Sequence, residues 1–432
     1  MHTHQTYNDC LTAMYSLRRF GIKMGLSTIR RILKELGNPQ DNFGCIHVAG
    51  TNGKGSIASG IASILNAAGY RTGLYTSPHL VTFNERISIN GSHISNARVV
   101  AAYHAVKNVH KGSREPTFFE FSTAMAFYDF GRVGIDWAVI ETGMGGRLDA
   151  TNIVRPAVSI ISNLSLEHRE YLGDTLAQIA AEKGGIIKKG VPVVTGVRQP
   201  GALSVLTDIA AAKSAPVFRL GKHFRVRRKS GSTFTFFGIQ NRWPDMKTRL
   251  MGRHQTDNAA ISLAACELLN RGGVSISEDN CRQGLLNLSW PGRLEVVCES
   301  PRIILDGAHN LIAARKLAAF LAKETDQRPI TMVIGILDDK PYEAMLSALI
   351  PVTKKVIFTR PKIDRGLPPE TLYAEARQYG KEMTILQDVH QAVQQAVNQA
   401  APDDVICIAG SLYVVGEAKT SLSQHLPPNL CT

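Results

Sequence analysis

Long apolar runs are missing from this sequence of 432 residues. None approaches the roughly 18 to 20 residues that a membrane-spanning helix needs, and the opening MHTHQTYNDC lacks the pattern of a secretory signal. Cysteine pairs are missing too. The seven cysteines are scattered, with no CxxC, which argues against a zinc site and against a disulfide framework. We therefore expect a cytoplasmic protein with free thiols and no membrane partner.

Acidic residues are also in deficit, with 36 Asp and Glu against 49 Lys and Arg and a net charge of +13. This balance favours anionic partners, which include nucleic acid, phosphates and polycarboxylates. The densest basic run, FRVRRKSGSTFTFF at 224–237, alternates and predicts an exposed β-hairpin with a solvated face. An RNA-binding strand pair is the weaker alternative, because the run lacks the aromatic pattern of an RNA-recognition motif. We expect no nucleic-acid partner.

The organisation of the chain predicts two α/β domains. The length exceeds the size at which single hydrophobic cores stop growing. Strands and helices alternate from residue 44 onward, which predicts a mainly parallel sheet covered on both faces. Five further strand–helix steps follow residue 301 and predict a smaller second domain. We place the domains at 1–297 and 298–432, because the segment WPGRLEVVCESP (290–301) connects the first domain to the second.

A glycine-rich turn in HVAGTNGKGSIASGI (47–61) separates an apolar strand from a small-residue helix. Glycines allow backbone N–H groups to converge on an anion, and the helix N-terminus adds its partial positive charge. Lys54 can reach terminal phosphates, and Ser56 can place its hydroxyl near magnesium. The match to G-x-x-x-x-G-K-[ST] is imperfect, since Val48 and Gly55 occupy the first-glycine and the hydroxyl positions. The turn predicts phosphate binding, with a purely structural turn as the alternative.

The segment Gly50–Ser56 resembles the modified P-loop of the Mur ligase superfamily, and its Lys-Gly-Ser ending resembles the folate branch, dihydrofolate synthase/folylpolyglutamate synthase. Further matches lie in order along the chain: TSPHL (76–80), ERI-ING (85–91), FFEFSTAMAF (118–127), ETGMGGRLDATN (141–152), EH…LG (167–173), EKGGIIK (182–188), HQTDNAA (254–260), WPGR (290–293) and DGAHN (306–310). The resemblance implies a P-loop-type N-terminal domain with a mostly parallel sheet and a smaller Rossmann-like C-terminal domain.

A carboxylate at a strand end is the main candidate for a metal ligand. Glu141 ends the apolar strand WAVIE, where parallel-sheet proteins place ligand-binding groups, and magnesium prefers hard oxygen ligands. A carboxylate on a solvated loop is the alternative. The resemblance implies that Glu141 binds magnesium together with Ser77 and His168, and that two ions take part. The family has Asp-His-Thr where this chain has Glu-His-Arg at 167–169.

The resemblance also assigns roles to residues that composition alone leaves open. It implies that Lys183 is carbamylated near the second metal, and that Lys183, His168 and Glu141 are catalytic. It places around ATP the residues Gly50, Thr51, Asn52, Gly53, Lys54, Gly55, Ser56, Asn258, Arg293, Asp306 and His309. It places around the acceptor and glutamate Phe118, Phe119, Glu120, Leu148, Asp149, Ala150 and Ser411, with the stretches Ile22–Met24 and Thr117–Glu120. Core aromatics, helix caps and turn caps are the structural alternatives.

Together these features predict a ligase that joins a carboxylate to an amine and depends on ATP and Mg²⁺. The resemblance implies dihydropteroate or reduced folate as acceptor, L-glutamate as donor, an acyl-phosphate intermediate and a monomer with both synthase activities. A peptidoglycan-type Mur ligase is one alternative, although the 46 residues before His47 are too few for its UDP-sugar domain. A P-loop NTPase that binds RNA is the other, and it leaves DGAHN and the second domain unexplained.

Overall fold

The computed structural model describes residues 6–21, 23–112, 114–229, 232–325 and 328–425. Contacts divide the chain into two units. The first comprises Met1–Arg249 and Gln255–Leu288, and the second comprises Leu250–His254 and Ser289–Thr432. No helix in the described ranges combines the length and the apolar character that crossing a membrane requires.

The main sheet of the first unit has eight strands among the described residues. They are β1 (Gly44–Ala49), β2 (Thr72–Tyr75), β3 (Ile87–Ile89), β4 (Ser92–His93), β5 (Trp137–Glu141), β6 (Val158–Ile161), β7 (Val193–Thr195) and β8 (Val217–Arg219). Their order is β4-β3-β2-β5-β1-β6-β7-β8, and only β3 pairs antiparallel with its neighbours. The central strands β1, β5 and β6 are almost entirely buried, because helices cover both faces of the sheet. The predicted mainly parallel sheet is confirmed.

Ten helices accompany this sheet in the described part of the chain. They are α1 (Tyr7–Ser16), α2 (Ser27–Glu35), α3 (Lys54–Ala67), α4 (Asn96–Val109), α5 (Phe118–Val133), α6 (Arg169–Leu172), α7 (Leu176–Gly184), α8 (Pro200–Ala212), α9 (Arg253–Arg271) and α10 (Glu278–Asn287). One apolar cluster packs α3, α9 and α10 on the sheet, and another packs α2, α4 and α5. Helix α9 begins within the segment that belongs to the second unit.

A separate antiparallel sheet follows β8 and consists of β9 (Arg225–Arg228), β10 (Thr233–Phe237) and β11 (Arg242–Lys247). The predicted hairpin is therefore present as β9 and β10, but only one of its faces is solvated. Phe234 and Phe236 are buried in the cluster that contains α9. The turn between β10 and β11 is held by Glu267 of α9, whose carboxylate accepts hydrogen bonds from the N–H groups of residues 239–241 at 2.7–3.3 Å.

The second unit has its own six-stranded sheet in the order β12-β13-β17-β14-β15-β16, parallel except for β12 with β13. Its strands are β12 (Glu295–Glu299), β13 (Arg302–Leu305), β14 (Ile330–Ile334), β15 (Lys355–Arg360), β16 (Glu382–Asp388) and β17 (Val405–Ala409). Its helices are α11 (Leu311–Glu324), α12 (Tyr342–Leu349), α13 (Pro369–Ala376), α14 (Val389–Gln399) and α15 (Leu412–His425). The contacts divide the chain after Leu288 rather than at 297/298, because β12 joins this sheet as the partner of β13.

Candidate active site

The phosphate loop connects β1 to α3 at the carboxyl edge of the main sheet. Gly50 has a φ of +142° and Gly53 a φ of +83°, backbone conformations that favour glycine. A Cβ on Gly50 would lie 1.9 Å from the Ser162 hydroxyl oxygen, so the chain passes β6 too closely for a side chain. Gly53 is the residue before α3, whose first N–H groups, from Lys54 to Ser56, have no acceptor within the helix. These groups and the helix dipole suit an anion.

Two other N–H groups of the loop are already used inside the protein. The N–H of Thr51 donates to the Asn163 carbonyl oxygen at 2.8 Å, and the N–H of Asn52 donates to Asn163 Oδ1 at 3.0 Å. The sequence predicts that the loop from Gly50 to Ser56 binds phosphate. In this structure the N–H groups of Thr51 and Asn52 donate to Asn163, which follows β6, so the donors that face an anion most directly are those in the first turn of α3.

The side chains of two predicted residues, Lys54 and Glu141, and the backbone of a third, Ser77, converge beside that turn. Lys54 Nζ lies 3.9 Å from Glu141 Oε1 and donates to the Thr51 carbonyl oxygen at 3.2 Å. The backbone N–H of Ser77 donates to Glu141 Oε2 at 3.2 Å. Glu141 is buried. Lys54, Glu141 and Ser77 meet because they follow or end the neighbouring parallel strands β1, β5 and β2, whose carboxyl ends share one edge.

Lys183 of α7 lies against the other side of the loop. Its side chain is 2% exposed, and Nζ donates to the Gly50 carbonyl oxygen at 2.8 Å. Burial lowers the pKa of Lys183 to about 8, although the carboxylate of Glu167, 3.4 Å away, opposes that shift. This chain differs from the family motif at residues 167 and 169, and Glu167 directly contacts Lys183, a predicted catalytic residue.

His168 is placed differently from Glu141. It is exposed, adopts a φ of +48° and precedes the short helix α6. Within the described residues, no group of three or more His, Cys, Asp or Glu side chains lies close enough to hold a metal ion. The structure therefore brings Ser77 and Glu141 together but contains no preformed cluster of such ligands around His168.

The predicted aromatic residues at the start of α5 lie in a cationic environment. The Phe118 ring stacks on Tyr15 with 5.6 Å between centroids, and the guanidinium carbons of Arg18 and Arg86 both lie 5.1 Å from the Phe118 centroid. Phe119 lies 6.1 Å from the Tyr75 ring. The sequence reasoning did not single out Tyr15 or Arg18, because only the fold brings α1 to α5.

Two predicted substrate-binding carboxylates make internal contacts. Glu120 is buried, accepts from the Thr117 N–H at 2.8 Å and pairs with Arg114 at 2.5 Å. Asp149 is buried and accepts from the N–H groups of Met144 and Thr151 at 2.9 and 3.0 Å. Burial raises the pKa of Asp149, against the hydrogen bonds that lower it. Glu120 completes the capping box of α5 and Asp149 caps the turn that follows it, and their contact with a substrate stays a prediction.

The other predicted residues of the first unit lie near these groups. Ala150 is buried, and the Leu148 carbonyl oxygen accepts from the Gly25 N–H at 3.4 Å. Asn258 of α9 is buried and adjoins the phosphate loop, since a Cβ on Gly53 would lie 2.8 Å from Asn258 Oδ1. Ile22, in the predicted stretch 22–24, lies outside the described residues.

The second unit gathers its own predicted residues at the carboxyl ends of the adjacent strands β13 and β17. Asp306 is buried and accepts from the N–H groups of Leu294 and Ala308, both at 2.9 Å. Burial raises the pKa of Asp306, and the nearby charge of Arg293 opposes the rise. His309 Nδ1 lies 2.8 Å from the Gly307 carbonyl oxygen. Ser411 is buried and caps α15 by accepting the Val414 N–H at 3.1 Å.

Comparison with known proteins identifies the class first. Residues 48–266 match the Mur ligase middle domain, and residues 292–412 match the Mur ligase glutamate ligase domain. The chain is therefore an ATP-dependent ligase of Mur type, and the RNA-binding NTPase alternative is not supported.

Individual relatives narrow the class. The dihydrofolate synthase/folylpolyglutamate synthase of Bacillus subtilis (strain 168) is 36% identical over 427 residues, covering 96% of this chain and 99% of the relative. A solved structure of E. coli FolC in complex with DHPP and ADP superposes with a TM-score of 0.90 at 29% identity, covering 98% and 99% of the two chains. The folylpolyglutamate synthase of Thermotoga maritima gives a TM-score of 0.86 at 37% identity, covering 96% of each chain. The chain belongs to the dihydrofolate synthase/folylpolyglutamate synthase family.

Proposed function

We propose that this ligase joins L-glutamate both to dihydropteroate and to reduced folates that already carry glutamate. The observation that carries the proposal is the convergence of Lys54, Glu141 and Ser77 beside the first turn of α3. The names of the relatives support both activities. The Bacillus subtilis relative is named for the two synthases, whereas a relative from Lacticaseibacillus casei is named folylpolyglutamate synthase and one from Saccharomyces cerevisiae dihydrofolate synthetase.

The proposed chemistry proceeds in two displacements. A carboxylate oxygen of the acceptor attacks the γ-phosphorus of ATP, so that an O–P bond forms, the bond to the bridging oxygen breaks and ADP leaves. The amine of glutamate then attacks the acyl carbon, so that a C–N bond forms, phosphate leaves with the electron pair and the amine proton passes to phosphate or water. Several anionic groups meet in this reaction. The protein's contribution is alignment and charge neutralisation, with Lys54 on the terminal phosphates.

Magnesium fits the donors that the first unit offers. The buried carboxylate of Glu141 ends a strand beside the loop, and magnesium bound to a nucleotide needs only one or two protein carboxylates besides phosphate oxygens and water. Ser77, Glu141 and His168 are the residues proposed to hold two such ions. Bound magnesium would offset the charge of the transferring phosphate.

We propose that Lys183 is carbamylated because its amine is buried beside the phosphate loop. Carbamate formation requires a neutral amine, and the buried Nζ has a pKa of about 8, so that about a tenth is neutral at pH 7. The carbamate keeps one N–H, which can still donate to the Gly50 carbonyl oxygen. The test uses the protein in ¹³C-labelled bicarbonate. A carbamate resonance in the unsubstituted protein that Lys183→Ala lacks is expected, and its absence from both would contradict the proposal.

The remaining roles follow from where the side chains lie. Phe118, Phe119, Glu120, Leu148, Asp149 and Ala150 are proposed around the pterin. Gly50, Thr51, Asn52, Gly53, Gly55, Ser56, Asn258, Arg293, Asp306 and His309 are proposed around ATP. Ser411 is proposed for glutamate. In support, Phe118, Phe119 and Glu120 begin α5, Gly55 and Ser56 lie in the first turn of α3, and Asp306 and Ser411 follow the adjacent strands β13 and β17.

The deciding experiment measures ADP formation by the purified protein with glutamate and either dihydropteroate or tetrahydrofolate. We expect turnover with both acceptors and none when the acceptor or glutamate is omitted. Lys54→Ala should lose both activities, whereas Lys189→Ala, which removes an exposed lysine of the same unit, should retain them. Turnover that is independent of the acceptor would refute the proposal, and turnover with tetrahydrofolate alone would limit it to folylpolyglutamate synthesis.

We further propose that the protein acts as a monomer in the cytoplasm, without a nucleic-acid partner. Light scattering of the protein at assay concentration should give a mass near the 47.1 kDa of one chain. A mass of two chains or more would contradict the monomer.

A further inference from the structure

Asn163 is a residue that the sequence did not single out, yet it makes three hydrogen bonds with the phosphate loop. It lies two residues beyond the end of β6. Its side-chain amide pairs with Asn52 in both directions, since Oδ1 accepts from the Asn52 N–H at 3.0 Å and Nδ2 donates to the Asn52 carbonyl oxygen at 2.7 Å. Its own carbonyl oxygen accepts from the Thr51 N–H at 2.8 Å. One residue therefore holds three consecutive peptide units, those that join Gly50 to Thr51, Thr51 to Asn52 and Asn52 to Gly53.

The carbonyl oxygens of Gly50, Thr51 and Asn52 in the loop also accept hydrogen bonds from protein donors. Those of Gly50 and Thr51 accept hydrogen bonds from the amines of Lys183 and Lys54 at 2.8 and 3.2 Å. That of Asn52 accepts from Asn163 and from the Ser162 hydroxyl at 2.8 Å. Carbonyl oxygens turned toward a triphosphate would repel it, and each of these three is engaged by a protein donor. Only the Asn52 carbonyl is held by neutral side chains.

We infer that Asn163 is a positioning residue for the nucleotide. By fixing the peptide planes of Thr51 and Asn52, it presents the N–H groups at the start of α3 to the phosphates and keeps the Asn52 carbonyl away from them. The inference rests on the proposed nucleotide site, but not on which acceptor the enzyme uses. Preorganised donors of this kind lose their effect when the supporting residues allow them to shift.

Asn270 provides a matched control. Its side chain pairs with the backbone of Ile276 in the same two directions, at 2.8 and 2.6 Å, within the same unit. Asn163→Ala and Asn270→Ala therefore each remove two hydrogen bonds between a side-chain amide and a single backbone residue. We expect comparable changes in the urea midpoint of unfolding. Only Asn163→Ala should raise the Kd for ADP, by about tenfold, the effect of losing roughly one net hydrogen bond to the phosphates when the donors shift.

Kinetics separate positioning from general damage. Asn163→Ala should raise KM for ATP and leave KM for the folate acceptor unchanged. Asn163→Asp retains the acceptor for the Asn52 N–H but places an oxygen against the Asn52 carbonyl, and it should bind ADP more weakly than the alanine variant. Unchanged ADP affinity in Asn163→Ala, or an equal loss in Asn270→Ala, would overturn the inference.

The variant Lys54→Ala distinguishes a failure of the positioning role of Asn163 from a failure of the proposed nucleotide site on which that role rests. Weak ADP binding by Lys54→Ala together with normal binding by Asn163→Ala would refute only the positioning role. Normal binding by Lys54→Ala would refute the nucleotide site itself, and the role of Asn163 with it.

Discussion

Glu141 and Glu267 are both buried carboxylates of the first unit, but their surroundings give them different tasks. Glu267 accepts four hydrogen bonds that fix one turn, three from backbone N–H groups and one from the Asn241 side chain. Glu141 accepts a hydrogen bond from the Ser77 N–H and lies near the Lys54 ammonium. The donors around Glu267 fix a turn, whereas Glu141 lies beside a cation and a phosphate loop, the surroundings expected of a ligand-binding carboxylate.

Replacing each carboxylate by its amide tests that distinction. Glu141→Gln keeps the shape and removes one charge, so we expect ligation at limiting Mg²⁺ to fall strongly with little change in the urea midpoint. Glu267→Gln should instead cost about 1–3 kcal/mol in the free energy of unfolding, because an NH₂ group replaces one of the two oxygens and cannot accept from the N–H groups of the turn. The activity of the folded Glu267→Gln protein should persist. Near-normal turnover of Glu141→Gln at limiting Mg²⁺ would remove Glu141 from the site.

His47 should make stability depend on pH. It is fully buried in β1, Nε2 lies 2.8 Å from the Thr151 hydroxyl oxygen, and burial together with the charge of Lys188 lowers its pKa to about 3. Below pH about 6.5 the unfolded chain takes up a proton that the folded protein does not, so stability falls as the pH falls. From pH 7.5 to 5.5 we expect His47 to account for a loss of about 1.4 kcal/mol.

Urea unfolding of His47→Gln at the two pH values measures that contribution. The variant should lose about 1.4 kcal/mol less than the unsubstituted protein on acidification. Replacing His93, which is exposed on β4, by glutamine provides the control. An identical pH dependence of His47→Gln and the unsubstituted protein would contradict the buried neutral imidazole.

At the scale of the element, helix α3 is bounded by two glycines with similar backbone angles. Gly53, before its first residue, has a φ of +83°, and Gly69, beyond its last residue, has a φ of +88°. A Cβ on Gly69 would meet nothing within 4 Å, whereas one on Gly53 would lie 2.8 Å from Asn258 Oδ1. Both glycines therefore adopt a left-handed backbone, but only Gly53 lies against Asn258, a side chain that we propose binds the nucleotide.

Alanine at each end should separate the two effects. Gly53→Ala and Gly69→Ala should each cost about 1–2 kcal/mol through the left-handed backbone. Gly53→Ala should also weaken ADP binding by at least about tenfold, because it displaces Asn258 and the start of the helix. Calorimetric titration with ADP and urea unfolding measure the two quantities. Equal ADP affinity in the two variants would show that the close approach to Asn258 does not matter.

For the whole molecule, nucleotide binding should appear as added stability. ADP at 100 times its Kd should raise the free energy of unfolding by about 2.7 kcal/mol, because it binds the folded protein and not the unfolded chain. Lys54→Ala should abolish the increase, and a chelator should reduce it if magnesium joins the complex. Thermal unfolding with and without ADP, with Lys189→Ala as control, provides the measurement. An increase that survives in Lys54→Ala would place the nucleotide elsewhere.

The sequence also anticipated the alternation of strands and helices. WAVIE is β5 at residues 137–141, and the five strand–helix steps expected after residue 301 run from β13 and α11 to β17 and α15. Their periodicity and their flanking polar residues are local properties, so they can be recognised without the fold. The sequence predicts a domain boundary at 297/298, whereas β12, which begins at Glu295, already belongs to the second sheet. Strand pairing is not a local property, and WPGRLEVVCESP does not reveal it.

The sequence by itself determined the two-domain α/β class, the phosphate loop and, through resemblance, the ligase family, because each depends on residue types in a fixed order. Tertiary structure decided which loop N–H groups are available and which carboxylates serve as caps. Asn163 and Asn52 are separated by more than a hundred residues, and Phe118 meets Arg18 and Arg86 only through packing. Hydrogen bonds and contacts of that kind arise when neighbouring strands and helices assemble, and no short stretch of the chain encodes them.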